Sequence, residues 1–341
     1  MIQPQPNRVI YGKTITELGC EDERVVVLDA DISKSTNTFQ FKRQFPERFF
    51  NIGVAEQNMV GIAAGLATTG LIPFASTFAI FLSMRACEQV RTSVAYPNLN
   101  VKLVATSAGV EIGMDGVTHQ GVEDLSIMRT ISNMIVLSPS DPVTTMLATR
   151  AIYEYNGPAY MRLNRNKSEV IHSEDTPFRI GKMIRLREGN DATVIATGHM
   201  VCQALIAHEN LKKEGVHIRV LDCHTIKPID EEEIRLAATE TGGIVTAEDH
   251  NQIGGLGAAV CEVTAESHPT FVKRVGLGNY FASSGRDYRK LLAHFHIDHA
   301  EIESKVRELL QLGKHKYSSG IEVDKSLGKH KYSSGIEGDK Q

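Results

Sequence analysis

The side chains best suited to chemistry in this sequence are one carboxyl group, two phenyl rings and an acid–imidazole pair. Glu56 lies in Phe49-Phe-Asn-Ile-Gly-Val-Ala-Glu56-Gln-Asn-Met59, where an apolar strand end meets a helix rich in small residues: Gly61, Ala63, Ala64, Gly65 and Ala67. There it is either a favourable anion in a first helical turn, worth roughly tenths of a kcal/mol, or a carboxyl whose proton affinity is raised by burial and used in catalysis. The segment alone leaves both readings open. Phe78 and Phe81, in Ser76-Thr-Phe78-Ala-Ile-Phe81-Leu-Ser-Met84-Arg85, stand three apart on one helical face, which is ordinary core spacing. Asp115 and His119 occupy a polar, Gly-rich loop from Gly109 to Gly121 after a strand, where α/β proteins keep functional groups. They suit acid/base and hydrogen-bonding work.

Two further patterns are weaker. His294-Phe-His296-Ile-Asp298-His299 fits an HxHxDH zinc pattern, but the residues before it read as a helix and only a polar tail follows to supply more ligands, so no metal site is expected. Gly254-Gly-Leu-Gly257 follows a strand and opens a helix as a dinucleotide fingerprint would, yet Val260 replaces the third glycine and no acid ends the next strand. Close helix–strand packing is the expectation there.

The elements that must position these residues alternate between short β-branched runs and helical patterns, the signature of βα units on largely parallel sheets. Strands are expected at 24–28, 101–105, 134–137 and 159–163, with helices over 56–69, 78–95 and 142–155. Ser140-Asp-Pro142 supplies a cap and a first-turn proline to the last of these. After a polar, strand-poor stretch at 173–189, a second series begins. Its strands fall at 192–196, 217–221, 243–247 and 271–275, and its helices near 200–213, 231–240 and 256–266. The expected architecture is α/β, with two doubly wound domains over 1–180 and 181–312.

Composition bounds the partners. At roughly 150 residues per domain, 341 residues make about two domains. Lys+Arg 37 against Asp+Glu 41 gives −4, with no basic excess to hold a phosphate backbone, so nucleic acid is not expected. No apolar stretch approaches the roughly 20 residues that cross a bilayer, and the N-terminal residues lack a signal pattern, so a cytoplasmic protein is expected. No two of the five cysteines have redox or zinc spacing. The C-terminus is a doubled unit, Leu312–Ser326 and Leu327–Gln341, which differs only at Val323/Gly338 and Ser326/Gln341. Two polar copies are too few for a solenoid, which needs about three, and 313–341 is read as a disordered tail.

In order along the chain, Asp29-Ala-Asp31, Phe50-Asn-Ile-Gly-Val-Ala-Glu56-Gln-Asn-Met, Ser76-Thr-Phe78-Ala-Ile-Phe81 and Asp115-Gly-Val-Thr-His119-Gln resemble the C-terminal half of the transketolase family. The resemblance runs from about Arg8 to Ile302 and implies a thiamine-diphosphate pyrimidine-binding domain followed by a transketolase C-terminal domain. It moves Glu56 to catalysis: the carboxyl would hydrogen-bond N1′ of the cofactor's aminopyrimidine ring, and protonation there would favour the 4′-imino tautomer, whose nitrogen can take the thiazolium C2 proton. Phe78 and Phe81 match the positions that hold that ring, and Met84 stands where many transketolases have a tyrosine. His119 matches the residue that touches the reacting end of the sugar, and Asp115 one that reads a sugar hydroxyl. Arg8, Ser35 and Arg165 match residues that bind the acceptor's phosphate.

Two departures concern the sugar. Thr106-Ser107-Ala-Gly109 lacks the histidine found there in the family, and the usual Gly-Glu-Asp-Gly is Gly113-Met114-Asp115-Gly116. A third is larger. The family clamps the diphosphate through Mg²⁺ with a Gly-Asp-Gly, and none occurs in this chain. The resemblance therefore implies a partner N-terminal subunit that carries the diphosphate-binding domain and the metal ligands, in an α₂β₂ enzyme acting on sugar phosphates. Alternatives are a 1-deoxyxylulose-5-phosphate-synthase-like or 2-oxo-acid-dehydrogenase-β-like subunit, or a regulatory binding subunit without catalysis.

Overall fold

Runs such as Val25-Val-Val-Leu-Asp29 and Lys102-Leu-Val-Ala-Thr106 bury every residue, which a sheet allows only when helices cover both of its faces. The computed structural model describes residues 2–318. The strands of the first half are β1 (Gln5–Pro6), β2 (Val25–Asp29), β3 (Phe49–Asn51), β4 (Ile72–Phe78), β5 (Lys102–Thr106), β6 (Ile135–Leu137), β7 (Ala159–Arg162) and β8 (Lys167–Ser168). Those of the second are β9 (Ile184–Arg187), β10 (Ala192–Ala196), β11 (Ile218–Asp222), β12 (Thr225–Lys227), β13 (Ile244–Asn251) and β14 (Val272–Leu277). One sheet has the order β12-β6-β7-β5-β4-β2-β3 and the other β14-β13-β10-β11-β9, while β1 and β8 form a two-residue ribbon. All pairs within the two large sheets are parallel except β12–β6 and β11–β9. The fold is thus α/β with two largely parallel sheets.

Four details depart from the sequence reading. Residues 72–78, not expected as a strand, form β4 at the middle of the first sheet, so Phe78 ends a strand instead of opening a helix. The stretch 173–189 contains β9, whose Ile184 and Leu186 turn inward while Arg185 and Arg187 face out, the alternation of an edge strand. β12 belongs to the second half of the chain yet pairs with β6 of the first sheet. The last helix runs from His299 to Ser318, past the expected end of the fold near Leu312. The remainder of the repeated tail, 319–341, lies outside the described residues.

The two halves share one apolar core. Met59, Leu103 and Tyr160 of the first half pack in one cluster with Leu221, Ile226, Ile234 and Val260 of the second. A polar tie accompanies it. His172 sits fully buried between Asp141, which caps the helix Pro142–Glu154, and Asp222 at the end of β11, with N–O distances of 3.4 and 3.3 Å. Burial pushes the Asp222 carboxyl up to about 7 against the pull of His172. Burial also disfavours the charged imidazole, but the two carboxyl groups outweigh it and hold His172 above its ordinary value.

Replacing His172 with Phe leaves two buried carboxyl groups facing one another without a cation. The expected cost is about 3–5 kcal/mol, read as a lower urea midpoint at unchanged m value; a loss under about 1 kcal/mol would show that the imidazole holds no charge there.

Candidate active site

The functional side chains cluster because parallel strands present their carboxyl ends on one edge of the sheet, and crossovers leave loops there free to diverge. Asp29 ends β2, Glu56 follows β3, Phe78 ends β4, the His119 loop follows β5, and Arg165 follows β7.

Glu56 is the first residue of the helix Glu56–Thr68, buried to 1 % exposure. Met59, Val60, Ala63 and Ala64 face the core and fix its rotation. Arg85, a residue the sequence reading did not assign, donates from Nη1 to Glu56 Oε2 at 2.8 Å, and its guanidinium lies 4.4 Å above the centre of the Phe81 ring. Among the described residues no hydrogen bond reaches Glu56 Oε1, so that oxygen is free for a ligand. Phe81, Met84 and Arg85 share a π-type segment, Phe81–Arg85, a rare geometry that recurs at functional sites. Phe78 and Phe81 lie 6.0 Å apart and nearly parallel at 17°, although one ends a strand and the other follows it into a helical turn. The His119 ring meets both edge-on, 5.3 Å from Phe81 and 6.2 Å from Phe78. Thus Glu56, Phe78, Phe81 and His119 converge, with Arg85 joining acid to rings. Met84 is 45 % exposed and opens outward from the same segment.

The remaining predicted residues form a second, connected group. Arg8 donates from Nη1 to the Ser35 carbonyl at 2.9 Å. Its Nε is buried and has no hydrogen-bond partner. Burial, with the Arg165 charge adding to it, lowers the Arg8 guanidinium from its ordinary value. Arg165 in turn grips Asp115 Oδ2 at 2.5 Å. The turn that carries Ser35 is shaped by a buried carboxylate: Asp29 accepts from the Ile32 amide at 2.7 Å and from the Thr36 and Thr38 hydroxyls at 2.6 and 2.8 Å. Two guanidinium groups brought together with a donor left unused suit a dianion such as a phosphate. The two groups are linked by the loop that bears both Asp115, which meets Arg165, and His119, which meets the rings.

Residues of both weaker patterns are engaged by the chain's own carboxylates. The Gly254–Gly257 turn is filled by the chain's own Glu248, whose carboxylate accepts from the Leu256 and Gly257 amides at 2.7 and 2.8 Å. A Cβ on Gly255 would come within 2.0 Å of that carboxylate, so the glycine serves this contact and not a cofactor phosphate. Among the described residues no group of three or more His, Cys, Asp or Glu side chains has the arrangement to hold a metal ion, and His296 and His299 face Glu301 and Glu303. No described helix is long and apolar enough to cross a membrane.

Comparison with known proteins agrees in both halves. Residues 3–169 match the family model for the transketolase pyrimidine binding domain, and 181–302 that for the transketolase C-terminal domain. A protein of Methanocaldococcus jannaschii described as a transketolase C-terminal section is 49% identical over 87% of this chain and 94% of its own length. A 6-deoxy-6-sulfo-D-fructose transketolase subunit of a Clostridium species is 44% identical over 83% of this chain and 88% of its own. Human transketolase is 37% identical, but the match covers 89% of this chain and only 49% of the human one. Among solved structures, a split-gene transketolase in an inactive β4 tetramer superposes with a TM-score of 0.83 at 44% identity, over 90% of this chain and 99% of that one.

The cation pair yields a test. Inorganic phosphate should raise the melting temperature of the chain beyond a chloride control of equal ionic strength, by linkage to binding in the folded state alone. Arg8→Met should lose that increment, and an equal increment in the variant would place the phosphate elsewhere.

Proposed function

The chain belongs to the transketolase family, and from that premise we infer that it is the C-terminal subunit of a split, thiamine-diphosphate-dependent transketolase. In this reading it moves a two-carbon ketol unit from a ketose phosphate to an aldose or aldose phosphate. The observation that carries the inference is the convergence of a buried Glu56, with one oxygen free, on two near-parallel phenyl rings and His119.

These residues fit the aminopyrimidine end of thiamine diphosphate. Phe78 and Phe81 offer faces for a flat heteroaromatic ring, and Glu56 Oε1 offers an acceptor beside them. The cofactor, when bound, supplies an acidic thiazolium carbon that becomes the nucleophile and the electron sink for the two-carbon fragment. Glu56 holds a proton at N1′ of the pyrimidine, with Arg85 balancing the buried carboxylate's charge. His119 stands against both rings, where it can donate to or accept from the hydroxyl and carbonyl oxygens of the sugar. Asp115 reads a hydroxyl further along, and Arg8, Ser35 and Arg165 hold the phosphate. At Ser107, where the family has a histidine, the side chain is fully buried with no partner for its Oγ. No imidazole therefore ends β5, and a donor or acceptor unlike those of the single-chain enzymes is expected.

The partner supplies what this chain lacks. Mg²⁺ and the diphosphate are assigned to an N-terminal subunit, in an α₂β₂ assembly whose active sites lie between subunits. The segments that carry the site also expose apolar side chains, Val54 at 72 %, Met114 at 66 % and Val117 at 42 %, as a surface that meets another subunit does. Gly61 and Gly65, on the outer face of the Glu56 helix, have nothing within 4 Å of an added Cβ and admit a close neighbour.

Purified with its partner, the chain should transfer ketol units with thiamine diphosphate and Mg²⁺ and lose that activity on chelation, while the chain alone stays inactive. Turnover by the isolated chain would refute the split assignment. In the assembled enzyme, Glu56→Gln should slow deuterium exchange at thiazolium C2 by about 10²-fold or more, the scale of a lost acid–base contribution. Unchanged exchange would remove Glu56 from its role.

A further inference from the structure

The loop that brings Asp115 and His119 to the site is held from both domains. It leaves β5, runs through a 3₁₀ turn at Val110–Asp115 and returns to the helix Asp124–Thr130. Its ends are closed by the Gly109 amide on the Gly121 carbonyl at 2.8 Å. Behind the turn lies a buried side chain from the other domain, Asp249 of β13. Its Oδ1 accepts from the Val110 amide at 2.9 Å and its Oδ2 from the Glu111 amide at 3.3 Å. These are the first amides of the turn, which otherwise have no acceptor. A Cβ on Gly109 would come within 2.0 Å of the same carboxylate, so the glycine, at φ +81°, is what lets Asp249 approach.

The contact reaches further than two amides. Glu111 Oε1 accepts from the Arg165 and Asn166 amides at 2.6 and 3.0 Å, so fixing Glu111 also fixes the backbone of the residue that grips Asp115. The Asp249 carbonyl is itself held by Arg162 Nη2 at 2.7 Å, and the same nitrogen donates to Gly121 at 3.1 Å. Opposite, the second domain adds the Gly285 amide on the Gly113 carbonyl at 3.2 Å and accepts Gln120 Nε2 at the Ser283 carbonyl at 3.0 Å.

We propose that Asp249 is a positioning residue for the reaction: through it the C-terminal domain holds the 109–121 loop so that Asp115, His119 and Arg165 meet the substrate. The assignment rests on the transketolase reading of the site. It gives the second domain a task in the substrate half of the reaction: Asp249 bonds to the loop amides and has no hydrogen bond or ion pair with Glu56 among the described residues.

That division decides the test, made on the assembled two-subunit enzyme with Asp249→Asn and, as the stronger variant, Asp249→Ala. Asn keeps one acceptor and turns a donor toward the other amide. The expected result is at least a tenfold fall in kcat/KM for ketol transfer, with KM for the ketose rising, while deuterium exchange at thiazolium C2 stays within twofold of wild type. Amide exchange over 109–121 should quicken without a change in the rest of the first domain. Asp249→Glu, which keeps both acceptors, should recover part of the loss. Two results overturn the proposal: kcat/KM within twofold of wild type in both the Asn and Ala variants, or C2 exchange and turnover falling together, as a general loss of structure would cause. An inactive wild-type assembly would instead remove the transketolase reading, and the loop's amide exchange would still report whether Asp249 holds it.

Discussion

Arg162 is a guanidinium at 6 % exposure, and much of the architecture follows from satisfying it. Its Nε reaches both oxygens of Asp124, at 3.0 and 3.2 Å, and Tyr160 donates to that carboxylate at 2.8 Å. Its Nη2 takes the carbonyls of Gly121 and Asp249. A buried charge costs several kcal/mol unless it is paired and its donors are used, so Arg162 and its three partners must stay together. They come from a central strand, the helix after the 109–121 loop, the base of that loop and a strand of the other domain. One buried guanidinium thus ties the sheet that carries Glu56 to the strand of the other domain that supports the 109–121 loop.

The regular elements were legible where local pattern and tertiary setting agree. The helices from Glu56 and Pro142 have small or apolar residues at helical spacing, and the latter opens on Asp141 with a capping box. Agreement failed at β4, where Pro73 reads as a breaker and Ser76-Thr77 as polar. The strand forms because both neighbours, β2 and β5, pair with it in a fully buried sheet. β9 hid for the opposite reason: its charged alternate residues face water at an edge, and its composition resembles a linker.

The candidate site was legible in part. Glu56, Phe78, Phe81 and His119 sit in motifs whose order along the chain is distinctive, and the structure brings them together. Arg85 and Asp249 left no comparable mark. Arg85 meets its partner across 29 residues, and Asp249 meets the Val110 amide across 139. Spacing rules see only separations of one or two helical turns or a strand period. A signal was present in retrospect: Gly109, a positive-φ glycine at the start of a loop, and Gly255, packed on Glu248, each mark where a carboxylate of β13 approaches backbone.

The three residues of β12 have a meaning beyond sheet geometry. After β11 the chain leaves its own sheet, lays Thr225–Lys227 along β6 and returns to build the helix Glu231–Glu240. The first sheet is therefore finished with a strand from the second half. A chain severed near residue 180 would leave β6 with a bare row of amides and carbonyls, the edge that invites aggregation, and would split an apolar core that both halves fill. Evolution can fuse or divide genes wherever the pieces fold on their own. On this architecture the junction between these two domains is a poor place to do so, and the pair should be inherited, lost and exchanged as one unit.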